Sequence, residues 1–171
     1  NQLRAYSENL ILVQGNFANL KNLISEIASS SFDKLRTPRN DVRVHGILYD
    51  LGVSSFQLDN TERGFSFNAD APLDMRMDPT IGVSAKDLVN GLYEKELSEL
   101  FLKLGEENWS KPIAKRIVQY RENKQIESTN ELAQIILSVR RRSPSDRTHP
   151  ATRIFQALRI AVNDELNSLK E

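Results

Sequence analysis

GILYDLGVSSFQLDNTERGFSFNADAPLDMRMDP, residues 46–79, is the stretch that decides the fold. It opens as a short apolar, β-prone run, Ile47-Leu48-Tyr49, of the kind that forms a central strand in an α/β sheet. The run stops at Asp50, and Gly52 follows. In open α/β sheets ligands bind outside the carboxyl ends of the strands. Asp50 is therefore either a solvated strand-end carboxylate or the edge of a site. From Leu51 to Pro79 neither a helical nor a strand period persists. Acids and arginines (Asp70, Asp74, Arg76, Asp78) alternate with Phe65, Phe67, Leu73, Met75 and Met77. Disordered segments are poor in such large apolar residues, so this reads as an ordered loop packed over a site. Arg76 could bridge Asp74 and Asp78 and lock it, or the three could form a surface cluster of little energetic weight.

Working outward, Leu10–Val13 is a second apolar strand. It is followed by a helix from Phe17 to about Ala28, with Phe17, Leu20, Ile24 and Ile27 at three- and four-residue spacing. Residues 29–42 are a polar loop, and Val42–Asp50 is the next strand. Strand, helix, strand implies a parallel pair with a right-handed crossover. After Pro79 the pattern is helical. Ser84 caps a short helix. Glu94–Leu104 carries Leu97, Leu100, Phe101 and Leu104 on one face, with Gly105 as its stop. Ser110 is read as the cap of the next helix, and Ser128 with Glu131 as a capping box. Arg140–Thr148, RRRSPSDRT, is a basic loop suited to phosphate contacts. The last helix, after Pro150, carries Arg153, Gln156, Arg159 and Asn163 within about 120° of one another. That stripe could hydrogen-bond the acidic loop or RNA, or simply face solvent.

The 171 residues are 39% hydrophobic and 27% charged, enough for a compact domain with a real core. No apolar run is long enough to cross a bilayer. There is no cysteine, which excludes disulfides, a thiol nucleophile and thiolate metal sites, and the two histidines lie far apart in sequence. The formal net charge is zero but unevenly spread. Residues 111–171 carry 12 Lys and Arg against 7 Asp and Glu, a candidate nucleic-acid surface or an ordinary solvated face.

DLGVSSFQLD, ERGFSF, APLDMRMDP and HPATRIFQALRIAVNDEL together resemble the RsmH (MraW) family of rRNA methyltransferases, over most of the chain. Phe56 stands where that family usually has Pro, and Ala71 where it usually has Gly. The resemblance implies an α/β fold: part of a Rossmann-like, S-adenosylmethionine-dependent methyltransferase domain (1–80), an inserted all-helical domain (81–150), and a helix (151–171) returning to the first. It implies methyl transfer from S-adenosylmethionine to the exocyclic N4 amine of a cytidine in 16S, small-subunit rRNA. Phe17, Asp50 and Gln57 are then cofactor contacts converging on one cleft, and Asp50 is the catalytic candidate. Lys115, Arg116, Arg140, Arg141, Arg142 and Arg153 are expected to lead RNA binding. The expected partner is small-subunit rRNA or the small ribosomal subunit, with no membrane and no metal, in the bacterial cytoplasm or a mitochondrion. The second reading is a non-enzymatic RNA-binding helical module. No G-x-G turn occurs in the chain, so it is expected to be an internal stretch of the enzyme, inactive alone.

Overall fold

The computed structural model describes residues 19–22, 24, 25 and 63–168. The expected strands at 10–13 and 42–50 lie outside those residues, as do Phe17, Asp50 and Gln57. Within the expected helix 17–28, residues 20–22, 24 and 25 are helical. Among the described residues the β-structure is an isolated antiparallel bridge between Pro72 and Ser128. The chain divides into two compact units, and the larger, Gly52–Glu165, holds the acidic loop and the main helices together.

Among its described residues five main helices build that unit: α1 (Ala85–Gly91), α2 (Glu94–Gly105), α3 (Ser110–Arg121), α4 (Thr129–Val139) and α5 (Thr152–Asn163). Each buries the stripe its spacing marks out. Leu97 and Phe101 of α2, Ile113 and Ile117 of α3, Leu132 and Ile136 of α4, and Ile154 and Leu158 of α5 are fully buried. Leu100, Leu104, Tyr120 and Val139 sit half-buried at the margins of the same core. α2 packs on both α3 and α5, α3 on α4, and α1 on α5. Full burial of each such side chain contributes about 1.5–3 kcal/mol.

The helix ends follow the sequence in part. The Ser84 hydroxyl accepts the Asp87 N–H and the Asp87 carboxylate accepts the Ser84 N–H, closing a capping box. Ser128 accepts the Glu131 N–H, but the Glu131 carboxylate reaches one residue further back, to the Glu127 N–H. Two expectations are corrected. Ser110 is not a cap: it is the first residue of α3 and is buried. The preceding Trp109 N–H instead donates to the Glu107 carboxylate at 2.9 Å. Nor does Gly105 supply the left-handed stop of α2, because Glu106 does, at φ 50°. Gly105 lies within the helix, where a Cβ would stand 2.4 Å from the Arg153 carbonyl oxygen and 3.1 Å from Ala157 Cβ. The glycine is there so that α2 and α5 can approach backbone to backbone.

Candidate functional site

The 63–81 loop is folded onto the helices by its own backbone. Gly64 adopts φ 69° and turns the chain so that the Arg63 carbonyl accepts the Met75 N–H at 2.9 Å. Arg63 reaches across the turn and donates to the Arg76 and Met77 carbonyls, its guanidinium lying 5.5 Å from the Phe65 ring centroid. Phe65, Leu73 and Met75 are buried in the core. The Asp74 and Leu73 carbonyls accept the Ala85 and Lys86 N–H groups, satisfying the first turn of α1. The Thr129 hydroxyl accepts the Ala71 N–H and donates to the Ala69 carbonyl, so the start of α4 holds the other side. Ala71 keeps its methyl in the core at 6% exposure, so alanine fits where the resembled family usually has glycine.

Asn163, at the end of α5, is the main clamp. Its amide nitrogen donates to the Met75 carbonyl at 2.8 Å, and its oxygen accepts the Met77 N–H at 2.6 Å. These two bonds bracket Arg76 and begin at the carbonyl of Met75, which is fully buried at φ 61°. A non-glycine residue in the left-handed region is strained, and such strain persists only where the surroundings over-determine it. Of the stripe read on this helix, Asn163 is thus the member that bonds the loop. Arg159 pairs with Glu165, Arg153 donates to the Glu106 carbonyl, and Gln156 is exposed.

Arg76 does not bridge two carboxylates. It forms a two-pronged pair with Asp74, at 2.7 and 2.9 Å, and donates its remaining nitrogen to the Pro79 and Ile81 carbonyls. The Asp78 carboxylate instead accepts the Thr80 N–H and hydroxyl. The Arg76 hydrogen bond leads in holding the Asp74 carboxyl below its ordinary value, and Thr80 does the same for Asp78. Both are therefore structural anions, not groups poised to take up a proton near neutrality.

Beside the loop lies an open cleft of about 500 Å³, lined by Asp70, Leu73, Asp74, Arg76, Lys86 and Glu127 among others. A second groove of about 610 Å³ runs between α3 and α4, past Arg116, Tyr120, Lys124, Asn130, Glu131 and Gln134. Glu131 organises it, accepting from Tyr120 Oη at 2.7 Å and Lys124 Nζ at 2.8 Å as well as from Glu127. Burial raises the Glu131 carboxyl, but these three donors outweigh it and hold the group at about 2. At the start of α5 the His149 ring stacks on Phe67, with centroids 4.6 Å apart, and its Nδ1 accepts the Ala151 N–H. Burial, then Arg142, pushes its pKa down from 6.5. Among the described residues no group of three or more His, Asp or Glu could hold a metal ion, and no helix is long and apolar enough to cross a membrane.

Both titrations destabilise the fold in acid. A depressed histidine stays neutral in the native state while the unfolded chain takes up a proton, so its contribution is present above pH 6.5 and declines below it. Glu131 contributes above its ordinary 4.5, and that contribution is lost between about 4.5 and 2. Urea unfolding against pH should show both declines. Glu131→Gln should make the lower decline shallower, since Asp74 and Asp78 still titrate there, and leave the upper unchanged. A Glu131→Gln profile parallel to the parent's between pH 4.5 and 2 would show that the carboxylate is not held as described.

The clamped loop and helical unit sit within a chain that resembles methylases from end to end. A family model described as the MraW methylase family matches residues 1–171. The chain belongs to that family. Curated relatives include proteins named ribosomal RNA small subunit methyltransferase H from Syntrophotalea carbinolica (45% identical), Brevibacillus brevis (44%) and Geotalea uraniireducens (49%). Each alignment covers 99% of this chain and 51% of the relative, so the chain spans about half the length of the curated relatives it matches.

Arg63, Glu107 and the Phe67–His149 stack were not legible as partners in the sequence. The backbone carbonyls that Arg63 holds carry no side-chain signature, and Glu107 looks like any acid at a helix end. Asn163 did carry a signal, as a poor helix former in the last turn of a helix.

Proposed function

We propose that this chain serves in the transfer of a methyl group from S-adenosylmethionine to the N4 amine of a cytidine in 16S, small-subunit rRNA. The observation that carries the reading is the match of the whole chain to the methylase family, with relatives at 44–49% identity named for small-subunit rRNA methylation. In this reading the strands at 10–13 and 42–50 belong to a Rossmann-like sheet, and the helical residues after Pro79 are an insertion into it. The cofactor supplies an electrophilic methyl group. Phe17, Asp50 and Gln57 line its site at the strand ends. The cytosine amine is a weak nucleophile because its lone pair is delocalised into the ring. Asp50 would accept a hydrogen bond from that amine and offset the charge developing on nitrogen. The clamped loop would keep its neighbouring backbone in one conformation during the reaction. Its contribution is positional, since close placement of the reacting atoms supplies much of such a rate. The chain has no glycine-rich turn, so turnover is expected to require the parts that its relatives possess beyond it.

The test grafts these 171 residues into the Geotalea uraniireducens relative in place of the matching stretch. Methyl transfer from labelled S-adenosylmethionine to small-subunit rRNA is then measured. Asp50→Ala should lower turnover by about 10² or more, while Arg39→Ala in the polar loop should leave it unchanged. An Asp50→Ala graft that retains full turnover would remove Asp50 from the chemistry.

A further inference from the structure

We propose that the corner where α2 ends, α3 begins and the loop after α4 returns is a docking surface for single-stranded RNA. Trp109 is its stacking platform, and Lys111, Lys115, Arg141 and Arg142 are its phosphate contacts. The proposal rests on the reading that the substrate is RNA, and adds the place where the strand lies.

One buried carboxylate assembles this corner. Glu107 is 1% exposed, with one oxygen accepting the Trp109 N–H at 2.9 Å and the other accepting Arg140 Nη1 at 3.1 Å. Arg140 Nη2 continues to Asp146 at 3.2 Å, and Asp146 accepts the Ser143 N–H, which closes the loop. Arg140 is therefore not a phosphate ligand, as its place in the arginine run suggested. It is a strut that fixes the loop beside the start of α3. The next two arginines are what the strut presents. Arg141 and Arg142 are exposed and make no hydrogen bond or ion pair among the described residues, and the same holds for Lys111 and Lys115 on α3.

Two features of the corner work against the stability of the isolated fold. The first turn of α3 carries Lys111 and no acidic residue, although a helix start favours anions. Trp109, a large aromatic, is 49% exposed. Local rules are broken in this way mainly at functional sites. Glu107 and Asp146 are both engaged by Arg140, leaving Glu106 as the exposed carboxylate of the turn. Unpaired cations around an exposed aromatic match single-stranded nucleic acid, whose bases stack on such rings while its phosphates meet the cations. A purely phosphate-binding surface would have no use for the indole.

Trp109 is the chain's one tryptophan, so its fluorescence reports on this corner alone. The 171-residue chain is titrated with a uridine dodecamer and, separately, with inorganic polyphosphate. Binding to small-subunit rRNA is followed between 50 and 200 mM salt. RNA should quench Trp109 saturably, while polyphosphate competes without that quenching. Arg141→Gln and Arg142→Gln should each reduce the slope of log affinity against log salt by about 0.7–0.9, and Lys95→Gln on the outside of α2 should not. Trp109→Ala should weaken RNA binding roughly tenfold with the slope unchanged. RNA affinity that survives all three corner substitutions would put the surface elsewhere and leave the rRNA reading standing. RNA affinity absent from the unsubstituted chain would remove the surface, and the methyl-transfer assay on the graft decides separately whether the rRNA reading falls.

Discussion

Gly64→Ala is expected to destabilise the fold by about 4 kcal/mol, from two separate causes. The residue sits at φ 69°, where a Cβ costs about 1–2 kcal/mol. That Cβ would also lie 2.1 Å from the Pro72 carbonyl oxygen and 3.1 Å from the Asp74 nitrogen. Both are backbone atoms, so no side chain can swing aside. The Pro72–Asp74 segment is held on its far side by Leu73, whose N–H donates to the Glu127 carbonyl. Relieving the clash means moving that segment, and overpacking of this kind adds about 1–3 kcal/mol. For a chain of this size the melting temperature should fall by roughly 8–16 °C. A Gly64→Ala variant within 2 °C of the parent would mean that the turn is not built as described.

Asn163→Ala should cost about 3 kcal/mol. It leaves the Met75 carbonyl and Met77 N–H without their partners beneath a helix, and an unsatisfied buried group costs about 1–3 kcal/mol. It also frees Met75 to leave its strained conformation, so the loss should be felt most within the loop. Amide exchange at Met77 should accelerate far more than exchange in the middle of α3. Asn163→Asp should not rescue the loop, because a carboxylate has no N–H for the Met75 carbonyl. Equal acceleration in both places would mean that Asn163 supports the fold in general and is not a clamp on the loop.

The helices were legible because their signal is local. Leu97 and Phe101, or Leu132 and Ile136, lie four residues apart on one face, and all four are buried. Ser84 and Ser128 cap the helices they precede, since a hydroxyl there has donors one turn away. The contacts that join distant segments were not legible. Gly105 looked like a stop signal, and only the approach of Arg153 reveals its use. Arg76 and Arg140 each had several acids nearby in sequence, and sequence spacing does not choose among them. Asp74 won the first because two residues along an irregular loop allow a two-pronged pair. Arg140 is shared between nearby Asp146 and buried Glu107, which comes from the turn between α2 and α3. For the candidate site, Phe17, Asp50 and Gln57 were readable only through the family resemblance, because a strand-end acid or a loop glutamine has no periodic signature. They lie outside the described residues and remain proposals.

The central claim is that the chain serves in methylation of a cytidine amine in small-subunit rRNA. Its most direct test is the position of the methyl group. The graft is incubated with small-subunit rRNA and isotope-labelled S-adenosylmethionine. The RNA is then digested to nucleosides and the labelled product is identified by mass spectrometry against N4-methylcytidine and 5-methylcytidine standards. The account predicts label in N4-methylcytidine, lost with Asp50→Ala. Label in 5-methylcytidine or in another nucleoside, or a folded graft that transfers none, would contradict it.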